Sequence, residues 1–131
     1  LLENIQITTI SGLVHANASE RDYDYPMHSL RVMVANQSGY DIDWIILYGI
    51  VYDQEDNVID FIHGGFDSEN SGLIFHDGET KIVAARSYSQ TGRCVSFSSP
   101  YEPYRIRYFL TTVNLDHNKS SFFEGEYVSG Q

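Results

Sequence analysis

Cysteine is nearly absent from this chain, since Cys94 is the only one in 131 residues. A single cysteine excludes an internal disulfide bond and a zinc site built from cysteines. The surrounding segment, TGRCVSFSS, matches no cysteine-enzyme signature. We therefore expect Cys94 to be a structural thiol, because free cysteine usually packs as a small hydrophobic side chain.

Basic residues are also few. Eight lysines and arginines stand against 18 aspartates and glutamates, and the formal net charge is -10. A nucleic-acid-binding protein needs a basic face that displaces counterions from the phosphates. Here only Arg105 and Arg107 lie close together in the sequence. We therefore expect neither a nucleic acid nor an anionic membrane surface as a partner.

Long apolar runs and helical patterns are missing as well. No run approaches the roughly 20 apolar residues of a membrane-spanning helix. No window repeats apolar residues at the i, i+3, i+4, i+7 spacing of an amphipathic helix. Apolar residues make up 42% of the chain, which is typical of a globular protein. These features predict one domain over residues 1–131, with no membrane span.

Short runs of β-branched and aromatic residues, separated by turn-forming residues, fill the chain instead. The run WIILYGIVY (Trp44–Tyr52) is apolar on both alternating faces, which is typical of a central strand covered on both sides. Other strands are predicted at residues 4–10, 29–36, 57–63, 72–75, 80–86, 104–114 and 122–128, with a short one at 94–97. Residues 15–27, 64–71 and 87–103 are expected to be loops. The pattern predicts an all-β fold, namely an immunoglobulin-like antiparallel β-sandwich of seven to eight strands.

Acidic residues crowd into the stretch YGIVYDQEDNVID, residues 48–60. Asp and Asn favour tight turns because they tolerate positive φ and bond their own backbone. The spacing does not match the calcium loop of an EF-hand. We predict a solvated hairpin tip, at which substitution of Asp53 or Asp56 barely changes stability. The alternative is a calcium site that combines Asp53 and Asp56 with Asp41 and Asp43.

Three segments occur in an order that is informative. A strand ends in Asn in VMVANQSG (32–39), a longer one ends in Tyr-Asp in IVYDQEDNVID (50–60), and Gly-Glu-Thr opens a third in HDGETKIV (76–83). This order resembles the FxLYD-type domains and related immunoglobulin-like modules of bacterial cell-envelope proteins. The likeness covers roughly residues 30–86.

The chain departs from that family pattern in two turns. Asp56-Asn57 replaces Asp-Gly, and His76-Asp77 stands where Leu-x-Pro usually precedes Gly-Glu. The resemblance implies a sandwich fold and an extracytoplasmic location, either secreted or on the cell surface. It also implies an interaction or spacer role without catalysis. It carries over no functional residue.

Catalytic signatures are missing from the sequence. There is no G-x-S-x-G, P-loop, G-x-G-x-x-G or H-E-x-x-H motif. The five histidines lack the spacing of a metal-binding pair. We therefore predict a protein that is not an enzyme and has no cofactor, and whose most favoured partner is another protein. A small hydrolase is the weaker alternative, since a catalytic triad is assembled from distant positions.

Aromatic residues make up 14% of the chain, and ten of them are tyrosines. Two pairs fall in predicted loops, namely Tyr23 and Tyr25 in RDYDYP and Tyr101 and Tyr104 in SPYEPY. Tyrosines of this kind pack a loop against the core, or contribute to a protein interface. Beside carboxylates they also suit the binding of sugars. The alternative function is therefore a carbohydrate-binding module that uses these four tyrosines.

Overall fold

The computed structural model describes residues 1–12, 28–87 and 103–129. These residues form β1 (Ile5–Gly12), β2 (Ser29–Asn36), β3 (Trp44–Tyr52), β4 (Val58–Asp67), α1 (Ser68–Ser71), β5 (Thr80–Ser87), β6 (Arg105–Asn114) and β7 (Lys119–Val128). The strands pair antiparallel in the order β1-β2-β5-β4-β3-β6-β7. The predicted all-β fold with seven to eight antiparallel strands is confirmed.

The sheet consists of two well-paired groups of strands. β4 and β5 pair at three positions only, from Ile62 opposite Ser87 to Gly64 opposite Ala85, whereas β2 and β5 pair at seven. The groups β1-β2-β5 and β4-β3-β6-β7 are therefore joined by a short contact. Immunoglobulin-like sandwiches also pair their second strand with their fifth. The sandwich itself stays a prediction.

Both groups direct alternate residues into one hydrophobic core. Its fully buried members include Leu30, Val32, Val34, Ile42, Ile45, Leu47, Val51, Ile62, Phe75, Ala85, Ile106 and Leu110. The N-terminal segment joins the two outer ends of the sheet, because the Leu2 N–H donates to the Ser120 carbonyl at 2.8 Å. A hydrogen bond of 3.0 Å also joins Thr9 Oγ1 of β1 to the Tyr108 hydroxyl of β6. The edge strands of the two groups are thereby held together.

The chain between β4 and β5 differs from the expectation. The predicted loop at residues 64–71 contains the end of β4 and the single-turn helix α1. Asp67 caps this helix by accepting a hydrogen bond from the Glu69 N–H at 2.8 Å, and Gly72 ends it with φ of 68°. The predicted strand at 72–75 is wrong, since it makes a single bridge, from Phe75 to Ile42. Among the described residues, no helix has the length and apolar character to cross a membrane.

The central position of β3 is confirmed, because it pairs with β4 on one side and β6 on the other. Its predicted burial on both faces is wrong. Ile45, Leu47 and Val51 are buried in the core, but Tyr48 on the opposite face is 52% exposed. A strand that is apolar on both faces therefore presents one of them to solvent. The predicted short strand at 94–97, and Cys94 within it, lie outside the described residues.

Candidate functional site

The acidic stretch forms a hairpin tip between β3 and β4, as predicted. Asp53 organises this turn with its side chain. Its Oδ1 accepts hydrogen bonds from the N–H groups of Glu55 at 2.8 Å and Asn57 at 3.0 Å. Its Oδ2 accepts a third from the Asn57 side-chain amide at 3.1 Å. The carboxylate therefore holds the turn in one conformation.

These hydrogen bonds change the chemistry of Asp53. The backbone N–H of Asn57 is the main reason that the pKa of the Asp53 carboxyl is lowered from its ordinary 3.8, against a smaller opposing effect of burial. Asp53 is only 6% exposed. The groups that bond its carboxylate belong to the turn and not to the hydrophobic core. Our prediction of a solvated charge is wrong for Asp53. It holds for Asp56, whose side chain is 77% exposed and pairs with Arg105 at 3.0 Å.

The alternative calcium site fails on geometry. Asp41 and Asp43 precede β3, whereas Asp53 and Asp56 follow it. A strand of nine residues spans about 30 Å, so the two pairs of carboxylates do not converge on one ion. Asp43 instead accepts a hydrogen bond from the Leu115 N–H at 2.7 Å. Within the described residues, no group of three or more His, Cys, Asp or Glu side chains is placed to hold a metal ion.

The loop tyrosines are placed only in part. Tyr23, Tyr25 and Tyr101 lie outside the described residues. Tyr104 is half-buried directly before β6. Its N–H donates to the Tyr52 carbonyl at 2.8 Å, and its own carbonyl accepts from the Ser129 N–H at 2.7 Å. Sugar binding through these four tyrosines stays a prediction.

The sequence analysis missed one apolar surface of the described chain. Five apolar residues from four strands form a continuous outer patch, which we call the aromatic face: Tyr48, Ile50, Phe61, Phe109 and Phe122. Ile50 lies opposite Phe61, and Tyr48 lies opposite Phe109. The rings of Phe109 and Phe122 stack with centroids 6.1 Å apart. Phe61 is 61% exposed and Phe122 is 63% exposed.

Charged residues border the aromatic face in pairs. Arg107 forms a salt bridge with Glu124 and lies 5.2 Å from the centroid of the Phe109 ring. Arg105 pairs with Glu126 at 3.1 Å, in addition to Asp56. These arginines are therefore neutralised by neighbouring strands, which leaves the aromatic face itself apolar.

A buried polar cluster joins β2, β4 and β5. A hydrogen bond of 2.8 Å links His28 Nδ1 to Asp60 Oδ2, and the Ser87 hydroxyl donates to the same oxygen at 2.5 Å. The histidine and aspartate side chains are 4% and 2% exposed. A catalytic triad needs the serine hydroxyl on the histidine ring, but here it bonds the aspartate. The cluster is therefore a structural tie that sequence reasoning had no local signal to find.

A cleft of about 510 Å³ opens where the pairing of β4 and β5 stops. Phe66, Leu73 and Ile82 contribute apolar surface to it, and Lys81 and Arg86 contribute positive charge. This volume lies within the usual range for small binding sites, roughly 300–1,000 Å³. The cleft and the aromatic face are two surfaces of the described chain on which a ligand could bind.

The fold and these two surfaces together define a small antiparallel all-β domain with open apolar surfaces. Comparison with models of known protein families finds no family that matches the chain, and a search of curated proteins finds no significant match. The likeness to FxLYD-type modules stays a prediction from the turn motifs.

Proposed function

We propose that this domain is a non-catalytic interaction module that binds another protein through the aromatic face. One observation carries the proposal: Tyr48, Phe61 and Phe122 are 52%, 61% and 63% exposed within one continuous patch. Contiguous exposed apolar patches mark interaction sites in folded proteins. Aromatic side chains in particular supply much of the binding energy of protein interfaces.

The surroundings of the patch support a protein as its partner. The salt bridges of Arg105 and Arg107 give the apolar centre a polar border, which is the usual anatomy of a protein interface. We further propose an extracytoplasmic location, on the strength of the FxLYD resemblance alone. A spacer role is compatible with the same module, because a rigid all-β domain can bind at one face and separate its neighbours.

The test starts from a surface fraction of cells that express the protein. Proteins captured by the domain are identified and purified, and their affinities are measured for the wild type and for a double variant, Phe61→Ser with Phe122→Ser. We expect the double variant to bind at least about tenfold more weakly, as the loss of the two most exposed aromatic side chains of the patch predicts. Leu115→Ser is the matched control, because Leu115 is 48% exposed but lies in the β6–β7 turn. It should retain wild-type affinity.

Two results would contradict the proposal. A purified partner that binds the wild type and the double variant equally well does not use the aromatic face. A glycan array that shows saturable binding, abolished by Tyr104→Ala, would replace the protein partner with a sugar. Circular dichroism of each variant establishes first that its fold is retained.

A further inference from the structure

The cleft between β4 and β5 exposes an open strand edge. Beyond the pair of Gly64 and Ala85, no described strand pairs with residues 80–84 on the side away from β2. The Ser87 N–H donates to the carbonyl of His28, directly before β2, and hydrogen bonding alternates along an antiparallel pair. The N–H and C=O groups of Ile82 therefore point away from β2, into the cleft. The N–H of Ala84 points the same way, whereas its carbonyl lies against Gly64. An edge of this kind is a template for pairing with another chain.

Exposed apolar side chains lie beside this edge. Ile82 is 54% exposed and Leu73 is 60% exposed, and both line the cleft. Natural edge strands are usually blocked by a charge, a proline or a covering element. Here Gly65 carries β4 away from β5 with φ of 135°, so no described strand covers this part of β5, and the charge that it carries is the half-buried Lys81.

The charge of the cleft is opposite to that of the molecule. The chain carries a net charge of -10, yet Lys81 and Arg86 line the cleft together with no carboxylate. Arg105 and Arg107 form salt bridges, whereas neither Lys81 nor Arg86 forms one in the described part of the chain. Two such cations beside an open strand edge favour a ligand with carboxylates.

We propose that this cleft binds an extended acidic segment of a partner protein, which adds as a strand to the free edge of β5. The backbone of the segment pairs with Ile82 and Ala84, in the manner of strand addition in other peptide-binding domains. An apolar side chain of the segment packs beside Leu73 and Ile82, and its carboxylates, on the opposite face of the strand, meet Lys81. Four or five ligand residues, about 13–17 Å at the rise of a strand, cover the open stretch. The cleft and the aromatic face meet at His63, which lines the cleft and stacks on Tyr48. The residues that bind the acidic segment are none of those that form the aromatic face, so this proposal does not depend on the first.

The experiment uses three synthetic seven-residue peptides with blocked ends, titrated into the ¹⁵N-labelled protein. The first alternates glutamate with valine, the second alternates lysine with valine, and the third is the acidic peptide with proline in place of its central valine. We expect the acidic peptide to bind saturably at millimolar or lower concentration and to shift the amide signals of Ile82 and Ala84. Hydrogen exchange of those two amides should slow when it binds. The lysine peptide should not bind, and the proline peptide should bind several-fold more weakly because it lacks one backbone donor.

Matched variants test the role of charge. Lys81 and Lys119 are both half-buried, and each lies over an aromatic ring, Phe75 at 5.8 Å and Tyr40 at 5.1 Å. Lys81→Glu should weaken binding of the acidic peptide at least about tenfold through loss of attraction and new repulsion. Lys119→Glu makes the same change of charge on β7 and should leave binding within about twofold. Lys81→Gln, which removes the charge and keeps a side chain of similar length, repeats the test should Lys81→Glu fail to fold.

Several outcomes would overturn the proposal. One is no binding of the acidic peptide at millimolar concentration, and another is equal binding of the lysine peptide. Signal shifts confined to residues outside the cleft would also contradict it. Equal binding of the proline peptide would show charge attraction without strand addition. The double variant Phe61→Ser with Phe122→Ser should bind the acidic peptide normally. The peptide experiment therefore tests the cleft alone, and its result does not depend on whether the aromatic face binds a protein.

Discussion

At the residue scale, two aspartates of one turn have different roles. Asp53 is covered and accepts three hydrogen bonds that define the turn. Asp56 lies three residues later with φ of 64° and is exposed to solvent. The first is held by its side chain, whereas the second is constrained by its backbone. Substitutions at the two positions therefore act through different physical causes.

For Asp53, we predict a stability difference from Asp53→Asn that depends on pH. The folded state lowers the pKa of the carboxyl below its ordinary 3.8, so the ionised group stabilises the fold at pH values above 3.8. That advantage is lost as the pH falls through 3.8 towards the pKa of the folded state. Urea unfolding from neutral pH to about pH 3 should show the difference narrowing at the acid end. Glu55→Gln, which removes an exposed charge from the same turn, is the control, and a difference independent of pH would contradict the role of the carboxylate.

For Asp56, we predict that glycine stabilises the protein relative to alanine. Asp56→Gly and Asp56→Ala remove the same exposed ion pair with Arg105, but only glycine adopts positive φ without a steric cost. Glycine should therefore be more stable than alanine by about 1 kcal/mol. Paired thermal and urea unfolding curves measure this difference. Equal stabilities would show that the turn relaxes to another conformation.

At the element scale, the contact of β4 with β5 depends on a close backbone approach. A Cβ atom built on Gly64 would lie 1.9 Å from the Ala84 carbonyl oxygen. That oxygen belongs to the backbone of a paired strand and cannot move without disturbing β5. Glycine at this position therefore allows the two groups of strands to meet. The same contact sets where the cleft begins.

We predict that Gly64→Ala destabilises the protein by about 3 kcal/mol or more, the upper range for overpacking. Gly49→Ala is the matched control in the neighbouring strand β3. Its added Cβ would lie 2.6 Å from a side-chain carbon of Ile62. A side chain shifts more readily than the backbone of a paired strand, so the cost should be smaller, about 1–2 kcal/mol. Urea unfolding compares the two variants. Similar costs at both positions would contradict a backbone-limited contact between β4 and β5.

At the scale of the whole molecule, one core and one polar tie connect the two groups of strands. The residues of the core come from both groups. His28 directly before β2 and Ser87 of β5 meet at one carboxylate oxygen of Asp60 in β4. Since a single core unfolds cooperatively, damage to this tie should lower the stability of the entire domain rather than loosen one strand.

Asp60→Asn tests this coupling. The substitution replaces one acceptor oxygen of the buried cluster by an amide NH2 group, and leaving a buried polar group without its hydrogen bond costs about 1–3 kcal/mol. Unfolding followed by tyrosine fluorescence and by circular dichroism should show one shared transition at lower urea concentration. Asp56→Asn, at an exposed site, should shift the midpoint little. Two separate transitions in Asp60→Asn would show that the two groups of strands fold independently.

The sequence by itself determined the class of fold and the local elements. The bounds predicted for β2 and β3, residues 29–36 and 44–52, agree with the structure. The acidic stretch was correctly predicted as a hairpin tip. These features depend on neighbours in the chain, because alternation of side chains and turn chemistry act over a few residues.

Only the tertiary structure decided which surfaces are open. It brings β5 between β2 and β4. It also brings His28, 32 positions before Asp60, and Ser87, 27 positions after it, to the Asp60 carboxylate. The aromatic face arises because four strands align their outer residues with nothing from the described chain packed over Phe61 and Phe122. The cleft arises because β4 and β5 stop pairing after Gly64. The sequence alone does not show whether the face that carries an apolar residue is covered or open. Coverage depends on which strands pack together, and those strands are far apart in the sequence.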